Sequence, residues 1–240
     1  LTDFYEVAFK NDSWSKANLS MVYGPSINDA PSPAPAPSPI QLDNYLPQPT
    51  TTPESFQTVD GFTQFTDADD SLTGQANIKY RMMGGNDLVE VIGGSNYANG
   101  NMGEDTIILR GGFGEYLGGK DSDTFEVFAA EEGTSVNGNR GEDTITGSVS
   151  GVTYRGGKDN DTLAVSQGEA WGDLGVDVFR GVTGEGYAVI QDYTIGEDIV
   201  ELTMDGNWSN IDSSLMFTDT SGDQVMLLVG VSDVEQVIVV

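Results

Sequence analysis

MMGGNDLVE (82–90), VIGGSNYAN (91–99), GNMGEDTII (100–108), LRGGFGEYL (109–117) and GGKDSDTFE (118–126) are consecutive segments of nine residues in one register. After a short interruption the register resumes with GNRGEDTIT from Gly138, GSVSGVTYR from Gly147, GGKDNDTLA from Gly156 and GDLGVDVFR from Gly172 to Arg180. Glycine falls early in each unit, aspartate at the sixth place of every other unit, and an apolar residue usually two places later. A fixed short period is the mark of a solenoid, in which each repeat stacks on the one before. With two strands to a turn, two units bring the chain back to the same edge. The period therefore predicts an all-β chain with an eighteen-residue turn.

Composition agrees with this and narrows the function. Glycine is 31 of 240 residues, about twice the usual ~7%, as a chain of many tight turns requires. Acidic residues number 38 against 10 basic, a net charge of −28. Such repulsion opposes a compact state unless counter-ions neutralise it. It also argues against a nucleic-acid partner, whose phosphates would be repelled, and points to multivalent cations. With no cysteine and no histidine, disulfides, histidine-based triads and thiolate or imidazole zinc sites are excluded. No apolar run approaches the ~18 residues of a membrane span. The chain opens without an initiator Met or a secretory leader. Its start is therefore expected to be processed, or the chain to be a piece of something longer.

Outward from the repeats the chain divides into further segments. Residues 1–29 form an N-terminal arm whose LTDFYEVAFK start suits a strand face or a helix face equally. The arm is expected to pack on its own domain or to dock on another molecule. Residues 30–53 are a proline-rich spacer; APSPAPAPSP (30–39) favours polyproline II and spans roughly 30 Å. Residues 54–81, with the turn-rich DADD cluster, read as the N-terminal cap of the solenoid, and residues 82–180 as the solenoid itself. Residues 181–240 read as a β-rich C-terminal cap. Within it, 186–202 is a strand, a turn at Gly196 and a second strand, and 214–231 is a hairpin around Ser221-Gly222-Asp223. The acidic-then-apolar end VEQVIVV suits either a terminal edge strand or an export signal.

The sixth-place aspartates are Asp87, Asp105, Asp123, Asp143, Asp161 and Asp177, at separations of 18, 18, 20, 18 and 16. They should stack in one column along one edge. Carboxylates at the strand spacing of ~4.8 Å cannot all stay ionised without cations between them. Calcium suits such a column, because it takes six to eight oxygens, main-chain carbonyls included, in flexible geometry. Asp121 and Asp159 replace the fourth-place glycine in two units and could add ligand oxygens. Turn preference alone would enrich glycine and aspartate, but it does not hold an eighteen-residue phase. The 20- and 16-residue steps leave the third and fifth sites, with the fourth between them, the least regular.

GGKDSDTFE and GGKDNDTLA resemble the GGxGxDxUx nonapeptide of the RTX (repeats-in-toxin) family, and DYTIGEDIVEL resembles the segment that follows such repeats. The resemblance covers about residues 82–202. It implies a parallel β-roll, with calcium ions between consecutive loops of one edge: between Asp87 and Asp105, Asp105 and Asp123, Asp123 and Asp143, Asp143 and Asp161, and Asp161 and Asp177. It also implies an extracellular or cell-surface protein exported by a type I channel. The chain departs from the family at the other edge, where Asn96, Gly114 and Val152 stand at the sixth place. That edge is expected to hold little or no metal.

No catalytic constellation stands out. Arg110, Arg140 and Arg155 read as surface charge, and Lys120 and Lys158 as charges that temper an acidic edge. The function expected is that of a secreted calcium-binding structural protein, not an enzyme. It would fold on calcium outside the cell and self-assemble through its N-terminal arm. Two alternatives remain: an adhesin or polysaccharide-binding module using Tyr97, Tyr116 and Tyr154, and the non-catalytic tail of a larger secreted enzyme.

Overall fold

The computed structural model describes residues 56–240, so the arm, the whole spacer and the first two residues of the 54–81 cap lie outside the described residues. In chain order the strands are β1 (Gln57–Val59), β2 (Phe62–Gln64), β3 (Ser71–Ala76), β4 (Lys79–Arg81), β5 (Leu88–Gly93), β6 (Ser95–Met102) and β7 (Thr106–Arg110). Then come β8 (Phe113–Lys120), β9 (Thr124–Ala129), β10 (Ser135–Asn139), β11 (Thr144–Gly147), β12 (Thr153–Lys158), β13 (Thr162–Val165) and β14 (Gly168–Leu174). The last are β15 (Val178–Arg180), β16 (Ala188–Ile190), β17 (Ile199–Glu201), β18 (Gly206–Ile211), β19 (Ser214–Asp219), β20 (Gln224–Leu228) and β21 (Ile238–Val239).

Even-numbered strands β2 to β16 stack in order in one sheet, and odd-numbered strands β3 to β17 stack in the other. Neighbours within each stack are parallel. Each turn thus gives one strand to each sheet, and the molecule is an all-β parallel solenoid of about eight turns. The chain passes from the even to the odd sheet along one edge, which carries the sixth-place aspartates. It returns along the opposite edge, called here the far edge.

Alternation along each strand buries one side chain in two, as the period of two demands. On the inner face of the even sheet, Tyr80, Ala98, Tyr116, Val136, Tyr154 and Ala170 lie in register. Large and small residues alternate from turn to turn, so each tyrosine ring fills the room left by the smaller neighbours. The facing row of the odd sheet is Val89, Ile107, Phe125, Ile145, Leu163, Phe179 and Val200. All seven are buried, and together the two rows are the core. Tyr116 and Tyr154 are fully buried within it, which removes both from any glycan-facing role. Tyr97 is half-buried on the outer face.

The stack extends beyond 82–180 in both directions. At the N-terminal end, β2 pairs with β4 and β3 with β5 in parallel, the latter with register shifts beyond Leu72, and β1 folds back antiparallel on β2. At the C-terminal end, β16 and β17 continue the two sheets. An antiparallel meander of β18, β19 and β20 then extends the even sheet beyond β16, with β20 parallel to β16. The last strand, β21, joins the edge of the odd sheet beside β17, so the apolar end of the chain is an edge strand. Among the described residues the only helical element is a 3-10 turn at Val234–Gln236, and no helix is long and apolar enough to cross a membrane.

Register also locates the two irregular steps. Ser135 pairs with Glu115 and Thr144 with Thr124, so the two extra residues lie between β9 and β10. Thr153 pairs with Glu169 while Thr144 pairs with Thr162, so the two missing residues lie between β13 and β14. Both departures fall on the far edge. From Asp87 to Asp177 the aspartate edge keeps its length, and only the loop between β16 and β17 is longer.

Candidate metal centre

On the aspartate edge each sixth-place residue ends a loop that enters the odd sheet. Every one of these loops has left-handed backbone at places two and four. The pairs are Met83 and Gly85, Asn101 and Gly103, Gly119 and Asp121, Asn139 and Gly141, Gly157 and Asp159, and Asp173 and Gly175. Glycine takes such conformations without strain, and Asn and Asp tolerate them. The sequence supplies one of these three at every position but Met83. Asp121 and Asp159 are therefore conformational substitutes for glycine. Both are exposed, and their Oδ2 atoms accept from the N–H of Gly103 (3.2 Å) and of Gly141 (3.3 Å) in the preceding loops.

The aspartates form a continuous ladder. The N–H of Asp87 donates to Asp105 Oδ1 (2.9 Å), that of Asp105 to Asp123 (2.8 Å), and that of Asp123 to Asp143 (2.7 Å). The series continues from Asp143 to Asp161 (2.8 Å) and from Asp161 to Asp177 (2.9 Å). Across the 20- and 16-residue steps the bond is as short as elsewhere. All six sixth-place aspartates are thus brought together.

Two further rungs went unread in the sequence. Asp70, within the DADD cluster, donates its N–H to Asp87 Oδ1 (2.7 Å), and the N–H of Asp177 donates to Asp198 Oδ1 (3.0 Å). Their spacings from the column, 17 and 21 residues, break the period. The available signal was local: each is followed two places later by a buried apolar residue, Leu72 and Val200, as at the other rungs. At these end rungs protein donors reach Oδ2, while Asp70 Oδ1 is buried without a hydrogen bond. The Thr66 N–H and hydroxyl both donate to Asp70 Oδ2 (2.8 Å each), and the Thr194 N–H donates to Asp198 Oδ2 (2.7 Å).

Between the ends the second carboxylate oxygen has no partner. The Oδ2 atoms of Asp87, Asp105, Asp123, Asp143 and Asp161 are buried without a hydrogen bond, although each residue is at most 2% exposed. Each of the last four lies over a first-place glycine: Gly100, Gly118, Gly138 and Gly156. A Cβ on Gly100 would overlap both Asp105 Oδ2 and the Gly118 carbonyl oxygen; on Gly118 it would overlap Asp123 Oδ2 and lie 2.7 Å from the Gly138 carbonyl. Gly138 repeats the arrangement with Asp143 Oδ2 and the Gly156 carbonyl at 2.6 Å. An orphaned carboxylate oxygen and the carbonyl of the next turn thus face one small space, turn after turn.

An unpaired buried carboxylate is costly, and the column shows it. Burial, reinforced by neighbouring carboxylates, pushes Asp87, Asp123 and Asp161 up to about 8 and Asp105 and Asp143 to about 7. Asp177 rises to about 6 and Asp198 also rises, in both cases chiefly through burial. The N–H of the preceding rung opposes the shift without cancelling it. Two agents can relieve the column: a proton on each carboxyl or a cation shared between oxygens. The donors are all hard oxygens, which suits calcium or magnesium over softer metals, and the mixture of carboxylate with flexible loop carbonyls suits calcium. Among the described residues no three acidic side chains converge on one point. A centre here would use one or two carboxylates with main-chain oxygens.

The far edge solves the same problem without charge. Asn96 Oδ1 accepts from the N–H of Ile78, eighteen residues earlier, at 3.1 Å, as an aspartate rung would. Its Nδ2 donates to the carbonyls of Gly93 (3.1 Å), Gly94 (3.0 Å) and Phe113 (3.3 Å). The amide holds three converging carbonyls from within. At the next sixth places Gly114 has no side chain and Val152 is buried in the core.

Three arginines belong to outer-face pairs: Arg110 with Glu90, Arg155 with Asp173 and Arg180 with Glu201. Arg110 and Arg155 also stack over Phe128 and Trp171.

No family model matches the sequence, and no curated protein matches it. Among solved structures the chain is similar to the extracellular lipase LipA from Serratia marcescens, at 16% identity and a TM-score of 0.22. The likeness covers 77% of this chain and 41% of the lipase chain. Strand pairing, not this likeness, defines the fold as a parallel β-solenoid.

Proposed function

We propose that this chain is a secreted, calcium-dependent β-roll of the RTX type, structural rather than catalytic. One observation carries the reading: six buried carboxylate oxygens without partners, one on each rung from Asp70 to Asp161 along the edge whose loops carry the repeat. Bound calcium would supply the positive charge that the column lacks. Asp87, Asp105, Asp123, Asp143, Asp161 and Asp177 would hold it, together with carbonyls such as those of Gly118, Gly138 and Gly156. The chain's own contribution is the N–H ladder, which fixes one oxygen of every rung and aims the other. At −28 the chain folds where calcium is plentiful, as it is outside cells. Extracellular modules bind with Kd of about 10⁻⁴–10⁻³ M.

Assembly belongs to the same proposal. The arm at residues 1–29, on a stiff spacer, is suited to add a strand to a neighbouring molecule, and a head-to-tail contact that does not close gives a filament. Calcium titration by calorimetry and circular dichroism tests the first part. Binding of several ions at about 10⁻⁴–10⁻³ M with a marked gain in resistance to urea is expected, and a chelator-treated protein as resistant to urea as the calcium-bound one at neutral pH sinks it. Electron microscopy of the intact chain and of one lacking residues 1–39 tests the second. Polymers are expected only from the intact chain in calcium.

A further inference from the structure

The two places where the repeat changes length flank one concavity. The longer far-edge crossing follows β9 and the shorter one follows β13, and between them the outer face of the odd sheet sinks into a trough of about 500 Å³. Thr146 and Ala164 line its middle, Phe128 one end, and Val182 with Glu185 the other. From β9 to β15 is three strand spacings, about 14 Å. In repeat proteins, residues inserted into a regular turn map to one face, which is often the binding face.

Phe128 is unusual for an exposed aromatic. Leu109 pairs with Val127 but Arg110 with Ala129, so Phe128 is the extra residue of a β-bulge. Bulges re-aim side chains and cluster beside functional sites. Phe128 is 55% exposed, yet the Arg110 guanidinium lies 4.7 Å from its ring centre, and Arg110 is itself held by Glu90. The ring is pinned on one side and bare on the other. Along the trough from it stand hydroxyl, amide and carboxylate groups from Thr146, Ser148, Gln167 and, at the far end, Glu185. The lining contains no cation.

We infer that this trough binds a neutral glycan, one sugar ring stacking its C–H face on Phe128 while Gln167 and Glu185 take hydroxyls. An aromatic platform beside uncharged and acidic hydrogen-bonding groups matches a ligand that is apolar on its faces and polar at its rim. Glu185 and the absence of a lining cation disfavour an acidic saccharide. The inference needs a folded roll but not the identity of the ion in the aspartate column.

The test screens the intact chain, in calcium and shown folded by circular dichroism, against cellohexaose, laminarihexaose, mannohexaose and chitohexaose by calorimetry. At least one is expected to bind. Phe128→Ala should weaken that binding tenfold or more, Phe128→Trp should preserve it, and Ala164→Arg, filling the trough from an outward-facing position, should abolish it. Tyr97→Ala, on the other sheet, should change nothing. The inference is overturned if the folded wild type binds none of the four, if Phe128→Ala binds within twofold of wild type, or if Tyr97→Ala is the variant that fails. It is also overturned if Ala164→Arg changes only the sedimentation of the protein, since the trough would then be a contact between copies. Should Ala164→Arg not fold, the alanine and tryptophan variants at Phe128 decide. A failure of the calcium reading shows separately, as a chain that folds equally well in chelator.

Discussion

Replacing Asp123 by Asn should change stability in opposite directions with and without calcium. Asp123 is 2% exposed, its Oδ2 is unpaired, and burial holds its carboxyl near 8. In metal-free protein at pH 7 the fold must therefore protonate this group or keep it charged and buried. Against an ordinary value of 3.8, and at about 1.4 kcal/mol per unit, this costs roughly 2–4 kcal/mol once neighbouring rungs share the burden. Asparagine keeps the shape, still accepts the N–H of Asp105 at Oδ1, and presents an N–H₂ toward the Gly138 carbonyl, much as Asn96 does on the far edge. In chelator the variant should gain stability of that order. In 10 mM calcium it loses a ligand to the ions on both sides. At Kd values of about 10⁻⁴–10⁻³ M each lost site removes about 1.4–2.7 kcal/mol, so calcium should stabilise the variant by about 3–5 kcal/mol less than it stabilises wild type, which offsets the gain seen in chelator and leaves the variant about 1 kcal/mol below wild type. Urea unfolding followed by circular dichroism, in chelator and in calcium, reads both signs. A variant destabilised in both buffers, or stabilised in both, refutes the column as a cation site.

Acidity should act in the same two-sided way. In the metal-free fold the rung aspartates have values raised to between about 6 and 8 from 3.8, so the folded state binds more protons than the unfolded. Metal-free stability should rise as pH falls from about 8 towards 4 and change little from these groups below that. In saturating calcium the slope reverses, because protons compete for the oxygens that hold the ions; urea midpoints across pH check both. Asn96→Asp should lose three amide bonds and cost about 1–3 kcal/mol in chelator, while adding one bound ion per chain in calcium, counted by equilibrium dialysis. Gly138→Ala should cost about 1–3 kcal/mol by overpacking and remove an ion, since its Cβ would overlap Asp143 Oδ2. Gly93→Ala meets nothing within 4 Å and should be near neutral in the same thermal melt.

Much of this was legible from spacing alone. The eighteen-residue phase places Asp87 through Asp177 on one edge, and the ladder from Asp87 to Asp177 follows. Three features were not legible, each for a physical reason. Separations between aspartates sum two crossings, so the 20- and 16-residue steps cannot say which edge changed length; only the pairing of Ser135 with Glu115 and Thr153 with Glu169 assigns both to the far edge. Asp70 and Asp198 fall out of phase because the far-edge crossing between β3 and β4 is one residue shorter than the next, and the longer terminal turn before Asp198 gains residues on both edges. Asn96 reads in sequence as the loss of an aspartate, whereas its amide repeats the rung's acceptor and adds donors. Tyr116 and Tyr154 were legible: the eighth place of a unit faces inward, and both rings are the large half of a large-and-small alternation in the core.

The ladder of N–H bonds has a mechanical consequence. Each aspartate is fixed by the rung after it and fixes the rung before it, with no bond that skips a turn. Stability in such an array is a sum of links between neighbours, not a property of one indivisible core. A broken rung should loosen the turns on either side and leave distant ones standing. Pulled from its ends, the molecule should pay out in steps of one turn, with the regular middle, from Asp105 to Asp161, the last to open.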